Sequence, residues 1–300
     1  VLESKAPLLE ALLIEERLEM VLGNYEDFES EVLRLSLQHS IYMESAVPDL
    51  DVHRRILARR TLNLLSVCRM YRDQLRCSLR RLFGRGSTIS RAVEEQIGIY
   101  ERLAPGYRLM ECVRDVLQHS VMPIRSIRAA HQVTDLKEDW GIASTVTPEL
   151  DRRALQEGRD FRARLGDELD SLPERFDLKP HIRHYVGYIA ELNRFVRDKL
   201  EPHVREWEGA AEAVTERYRT ELGLSPQELP KQLRVLALAA GEPPSGQLSG
   251  QHVPLDLIVS RRELVTRMAH AVNLWKRYVT DLPAELLLPP RSREGRLAAG

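Results

Sequence analysis

The sequence predicts a mainly α protein: a helical bundle carrying a small β element and a C-terminal strand-plus-helix extension. Apolar residues recur at helical spacing over most of the chain, whereas the alternation expected of strands is confined to a few short windows. Three hundred residues at 43% hydrophobic content can bury a real core, in one large domain or two small ones, without disulfide or metal support.

The first helix is expected over residues 8–42, with Leu18, Val21, Tyr25, Phe28, Val32, Leu35 and Tyr42 on its apolar side and Gly23-Asn24 as a candidate break. Pro48 forces a stop, and Asp49 or Asp51 caps a second helix over 51–83. In that helix Leu57, Thr61, Leu64, Cys68, Tyr71, Leu75, Leu79 and Leu82 fall on one narrow stripe, opposite Arg55, Arg59, Arg69, Arg72, Arg76 and Arg80. Gly84 and Gly86 end it, Ser87 or Thr88 caps a third helix to about 104, and Pro105-Gly106 turns the chain into the next.

Beyond Pro123 the pattern changes. Residues 126–133 and 142–146 read as short strands, and Thr147-Pro148 reads as the start of a helix, with Thr as cap and Pro in the first turn. A long helix follows over 180–223, kinked at Pro202. Residues 241–250, with Pro243, Pro244 and Ser245, read as a flexible linker. After it come an apolar run, 253–259, expected as a strand, and Ser260-Arg-Arg-Glu263, a capping box opening a helix to about 280. The expected organisation is a bundle over 1–240 with a β insertion near 124–148, a linker at 241–252 and an extension over 253–300 that ends in a loose tail.

Charge narrows the function classes. With 44 basic and 45 acidic residues there is no global basic field to gather nucleic acid or anionic membrane, so any electrostatic surface is local. Cys68, Cys77 and Cys112 form no zinc-ligand spacing and read as free thiols in a reducing cytoplasm. No leader segment and no apolar run of about 18 residues is found, so a soluble cytoplasmic protein is expected. Phosphate-binding loop, dinucleotide fingerprint, nucleophile elbow and HExxH are all missing, which leaves no cofactor to expect. His181 and His184 stand three apart with His203 far along, and no carboxylate or Cys completes a metal set with them.

One short helix carries the chemistry. In "ECVRDVLQHSVMP", residues 111–123, His119 lies four residues after Asp115, so the carboxylate can orient the imidazole and raise its proton affinity. Arg114, always protonated, can hold a phosphate and stabilise charge developing on phosphorus. Such a set can run metal-independent RNA cleavage. Positions five apart on a helix are rotated by ~140°, so Arg114 and His119 do not share a face. Two copies around a two-fold axis would bring an Arg and a His from each into one cleft, and a homodimer is therefore expected.

"RDVLQH", an Arg, a polar follower and a His after three more residues, resembles the signature of the HEPN superfamily (higher eukaryotes and prokaryotes nucleotide-binding). With "RRTLNLLSVCRMYRDQL" upstream and "RDVLQHSVMPI" around the motif, the resemblance covers roughly residues 50–135. It implies a HEPN-like α bundle, a homodimer with Arg and His at the interface, and often a ribonuclease of toxin–antitoxin or phage-defence systems, with a protein antitoxin or defence-complex partner. The looser spacing also fits Arg34–His39, Arg125–His131 and Arg197–His203. The first lacks the polar follower, the second spans an expected strand, and the third has Pro202 beside its His. Two residues after His119 stands Val121, where one subgroup carries a Tyr that an antitoxin modifies, so the resemblance does not extend to that control.

Two readings of these residues stay open. Arg114, Asp115 and His119 are either a catalytic set or the polar side of a helix in a non-catalytic interaction module. The arginine stripe at Arg55, Arg59, Arg69, Arg72, Arg76 and Arg80 is either a grip for RNA phosphates or a face paired with acidic helices.

Overall fold

The computed structural model describes residues 2–42, 50–104, 106–119, 124–136, 139–156, 165–225, 234–236 and 250–269. Among them the protein is mainly helical with a small β element, as the periodicity predicts, made of a three-stranded and a two-stranded antiparallel sheet. The elements are α1 (Leu2–Tyr42), α2 (Leu50–Phe83), α3 (Thr88–Leu103), α4 (Tyr107–His119), β1 (Ile124–Leu136), β2 (Asp139–Asp151), α5 (Arg152–Gln156), α6 (Asp167–Ser171), β3 (Arg175–Asp177), α7 (Leu178–Leu222), β4 (Arg234–Leu236), β5 (Gly250–His252) and α8 (Leu255–Arg267). Contacts divide the described residues into two compact units. The first gathers those of 1–19, 71–96 and 191–272, the second those of 20–70 and 97–190, so α1, α2, α3 and α7 contribute to both.

In the first unit Leu8, Leu75, Leu79, Val93, Leu192, Val196 and Val204 are buried apolar side chains. A polar knot lies among them. Glu15, 2% exposed, accepts from Arg197 (Nη2 at 2.7 Å, Nε at 3.0 Å) and from Asn193 Nδ2 at 3.1 Å, while Tyr71 Oη donates to Asn193 Oδ1 at 2.8 Å. Burial pushes the Tyr71 hydroxyl well above its ordinary pKa, so it stays a donor. On α8, Arg262 bonds Glu208 and Glu212 of α7.

Helix α1 begins before Pro7 and runs unbroken through Gly23-Asn24. Val21 and Phe28, both fully buried, hold the segment from either side, and Asn24 Nδ2 folds back onto the Met20 carbonyl at 2.9 Å instead of capping a helix end. Helix α2 has the expected stripe: Leu57, Thr61, Leu64, Cys68, Tyr71, Leu75 and Leu79 are buried, with Leu82 half-buried at the end. Ser87 caps α3, its Oγ accepting from the Ser90 amide at 3.2 Å. Cys68, Cys77 and Cys112 are free thiols.

In the second unit β1 and β2 pair from Ile124↔Leu150 to Leu136↔Asp139, and β3 adds to β2 at 149–151, in the order β1-β2-β3. This corrects the expected helix start at Thr147-Pro148. Both lie in β2, opposite Arg128 and Ile127. Proline is tolerated because β3 first pairs at Glu149, leaving residue 148 an open edge on that side. The helix starts at Arg152 instead. Asp151 caps it, Oδ1 accepting from the amides of Arg153 at 2.8 Å and Ala154 at 3.2 Å. Helix α7 is capped by Asp177, which accepts from the Lys179 amide at 2.9 Å. The buried Lys179 ammonium donates to the Val146 carbonyl at 2.9 Å and ties the helix to β2. The helix continues through Pro202 as one element.

The C-terminal reading also needs correction. The strand is Gly250–His252, paired with β4, and the apolar run at 253–259 is the entry and first turns of α8. Ile258, Arg261, Leu264 and Met268 are buried, a spacing of three to four that only a helix provides. Ser260 and Glu263 therefore lie inside the helix and do not cap it. Expected elements at 241–249 and 270–300 fall outside the described residues.

Arg183 and Glu29 form a deeply buried ion pair in the second unit, with side-chain exposures of 1% and 9% and two bonds at 2.7 and 2.9 Å. Glu29→Ala leaves a guanidinium buried without its counter-charge. Urea denaturation should show a loss of about 3–5 kcal/mol, most of it recovered in Glu29→Leu/Arg183→Met, where neither charge remains.

Candidate functional site

Helix α4 starts at a turn that only glycine fits. Gly106 has φ +75°, and a Cβ there would stand 3.0 Å from His181 Nδ1. Its carbonyl accepts the first helical bond, from the Met110 amide at 2.9 Å. Tyr107, Met110, Glu111, Val113 and Val116 are buried, while Arg108 is exposed and Arg114 and Asp115 are half-buried. The helix is thus divided between a face tied to the core and a polar side.

On the buried face Glu111 is the organising charge. Its Oε2 accepts from Arg69 of α2 at 3.0 Å, and its Oε1 accepts from the Tyr185 hydroxyl of α7. Through Tyr185 it joins a cluster of Tyr100, Tyr107 and Tyr188, with centroids 5.1 Å apart for Tyr107–Tyr185 and for Tyr100–Tyr188, in the tilted geometry that the ring quadrupoles favour. Three helices are therefore locked to α4 through one carboxylate and a tyrosine cluster.

On the polar side Arg114 Nη2 donates to Asp115 Oδ1, and the two side chains are 17% and 35% exposed. His119 is the last residue of the same unbroken helix, and its side chain lies outside the described residues. The structure thus joins Arg114 to Asp115 and places His119 one turn beyond Asp115. The five-residue offset leaves Arg114 and His119 on different sides of the helix axis.

The six arginines of the stripe have different surroundings. In the second unit Arg55 bonds Asp51 at 2.6 Å, Arg69 bonds Glu111, and Arg59 is exposed. In the first, Arg72 is 2% exposed and belongs to the interior, Arg76 bonds Glu94 at 2.6 and 2.9 Å, and Arg80 is exposed. The stripe reaches the surface at five positions, and acids already occupy three of those.

His181 abuts the Gly106 turn and packs edge-on to Phe176 at 5.4 Å. Burial, with His184 nearby, lowers its pKa from 6.5 to about 4, and burial lowers His184 as well. His203 lies between Phe83 and Trp207, at 5.0 and 5.9 Å. Among the described residues no group of three His, Cys, Asp or Glu is placed to hold a metal, and no helix is long and apolar enough to cross a membrane. No family model, curated protein or solved structure matches the chain.

Sequence reasoning missed Glu111, Tyr185 and His181 as parts of this site. A signal existed for the first: an acid among Tyr107, Met110, Val113 and Val116 on an otherwise apolar helix face must find a partner inside.

Since His181 is neutral when folded and takes up a proton more readily when unfolded, its contribution to stability is complete above pH 6.5 and is lost as pH falls toward 4. The loss approaches about 3 kcal/mol at pH 4. His181→Gln should flatten the pH dependence of unfolding free energy relative to wild type across that window.

Proposed function

We propose that this chain is a metal-independent endoribonuclease, acting at a site shared between two copies. The observation that carries the reading is the Arg114–Asp115 pair, half-buried on the polar side of a helix whose other face is anchored through Glu111. A guanidinium held by a neighbouring carboxylate on a rigid element is pre-oriented, which is what stabilising charge on a phosphoryl group needs. The resemblance of "RDVLQH" to the HEPN signature adds His119 as general acid or base, and adds the setting, a cytoplasmic bacterial defence or toxin-type system with a protein partner that restrains it.

In this reaction the ribose 2′-oxygen attacks the adjacent phosphorus and gives up its proton to a base. The bond from phosphorus to the 5′-oxygen breaks, and that oxygen takes a proton from an acid. The products are a 2′,3′-cyclic phosphate and a 5′-hydroxyl. His119 of one copy serves one transfer and His119 of the second serves the other, which is why the reading requires a dimer. Arg114 holds the non-bridging oxygens, Asp115 positions its guanidinium, and the exposed Arg59 of the arginine stripe, in the same unit, guides the RNA backbone.

A second reading, a non-catalytic HEPN-like interaction module, is favoured by a different observation. Leu33, Leu37 and Ile41 stand four residues apart on α1 and are 46%, 58% and 61% exposed, an apolar stripe suited to a partner helix.

Purified protein incubated with labelled RNA in EDTA should yield 2′,3′-cyclic phosphate ends, and Arg114→Ala/His119→Ala should lower the rate by at least about 10²-fold. Equal cleavage by both proteins, or none by a folded wild-type dimer, overturns the ribonuclease reading. Leu37→Glu/Ile41→Glu tests the stripe, and because the ribonuclease also needs two copies, the cleavage assay decides between the readings. If the stripe is a protein interface, light scattering shows a smaller assembly, whereas unchanged mass and unchanged cleavage remove the module.

A further inference from the structure

We infer that the turn between α2 and α3 is a binding site for an oligophosphate group. The site lies in the unit that does not contain α4, and the inference does not rest on the ribonuclease reading.

The chain reverses there over four residues. Gly84 and Gly86, at φ +80° and +70°, make the reversal, and the Gly84 amide closes α2 on the Arg80 carbonyl at 2.9 Å. This geometry leaves an open cleft of about 550 Å³ lined by Arg76, Arg80, Arg85, Arg91, Ser90 and Glu94. Four guanidinium groups face one carboxylate.

What distinguishes this cluster is its imbalance. Elsewhere the surface arginines of the described residues commonly hold an acid on their own helix, as Arg34 holds Glu31, Arg205 holds Glu201 and Arg217 holds Glu221. At the cleft, Glu94 is taken up by Arg76. Arg80, Arg85 and Arg91 bond no acidic side chain among the described residues, and all three are exposed. Like charges gathered around a concavity raise the local potential, and an anion relieves their repulsion.

The arrangement also says which anion. Three uncompensated guanidinium forks exceed what one phosphate satisfies and suit two or three linked phosphates, whose oxygens can be met bidentately. No aromatic side chain lines the cleft, so nothing is present to stack a base, and recognition is of the phosphates alone. The volume is that of a small-molecule site. The helix end adds little, since the Ser90 amide is already taken by Ser87 Oγ.

Calorimetric titration of the full chain with inorganic triphosphate at low salt is the test. Saturable binding that weakens steeply with added salt is expected. Arg80→Gln/Arg85→Gln/Arg91→Gln should lose about tenfold or more in affinity with unchanged helix content. Glu94→Gln, which removes the competing carboxylate and leaves Arg76 only its longer contact with Asp73 at 3.4 Å, should bind several-fold tighter, an outcome that misfolding does not produce. ATP without added metal and RNA bearing a 5′-triphosphate distinguish the sources: equal affinity for ATP and triphosphate points to a small polyphosphate, and tighter binding of the RNA points to a nucleic-acid end. Orthophosphate bound as tightly as triphosphate overturns the oligophosphate assignment. So does 5′-hydroxyl RNA bound as tightly and lost in the triple variant, which would assign the cleft to the phosphodiester backbone. No binding by folded wild type, or no loss in the triple variant, removes the site.

Discussion

A carboxylate inside a protein must find a cation or a donor, because desolvating it alone costs more than the fold can supply. Glu15, Glu29 and Glu111 are each buried, and each is met by an arginine from a different helix: Arg197, Arg183 and Arg69. Apolar side chains tolerate sliding by a turn, since leucine packs acceptably against leucine. A two-pronged Arg–carboxylate bond does not, because a shift of one residue leaves a charge buried without its partner. Packing supplies most of the cohesion of these helices, and the buried pairs choose one alignment from several of similar apolar burial.

The two-sided character of α4 follows from the same constraint. Glu111 fixes the helix from beneath through Arg69 and Tyr185. Asp115, one turn further along, leaves the core and bonds Arg114 at the surface. Two acids four residues apart thus have opposite tasks, one holding the helix in place and the other holding a side chain on it. Any activity at Arg114 inherits its positional precision from Glu111, although Glu111 itself is almost wholly screened from solvent.

The helical content of the chain was legible because stripes such as Leu57 through Leu79 repeat for many turns and outweigh local propensity. The hairpin was legible in kind, but its ends were not. Thr147-Pro148 has the composition of a helix start, and only the arrival of β3 one residue later shows why a proline can sit in that strand. Residues 253–259 were misread because a short apolar run has no period of its own, and it is the burial of Arg261 and Leu264 downstream that makes it helical. At the candidate site the sequence pointed to Arg114, Asp115 and His119 through spacing on one helix. It did not show that Arg72 turns inward, since sequence periodicity gives a face and not the depth of the partner packed against it. Nor did it show the pairing of acids with arginines more than a hundred residues away, although the same interval separates Glu15 from Glu29 as separates Arg183 from Arg197.

The hairpin leaves β1 at the border of its sheet. A long extended border offers its peptide groups to any other strand it meets, and proteins that aggregate commonly begin there. Here Arg125 and Arg128 are exposed on that strand, Arg128 anchored to Glu149 across the pair at 2.9 Å. A second copy approaching edge to edge would bring these cations against their own counterparts. The arginines thus act as a guard rail, letting a chain of long helices carry a strand border without inviting fibrous stacking.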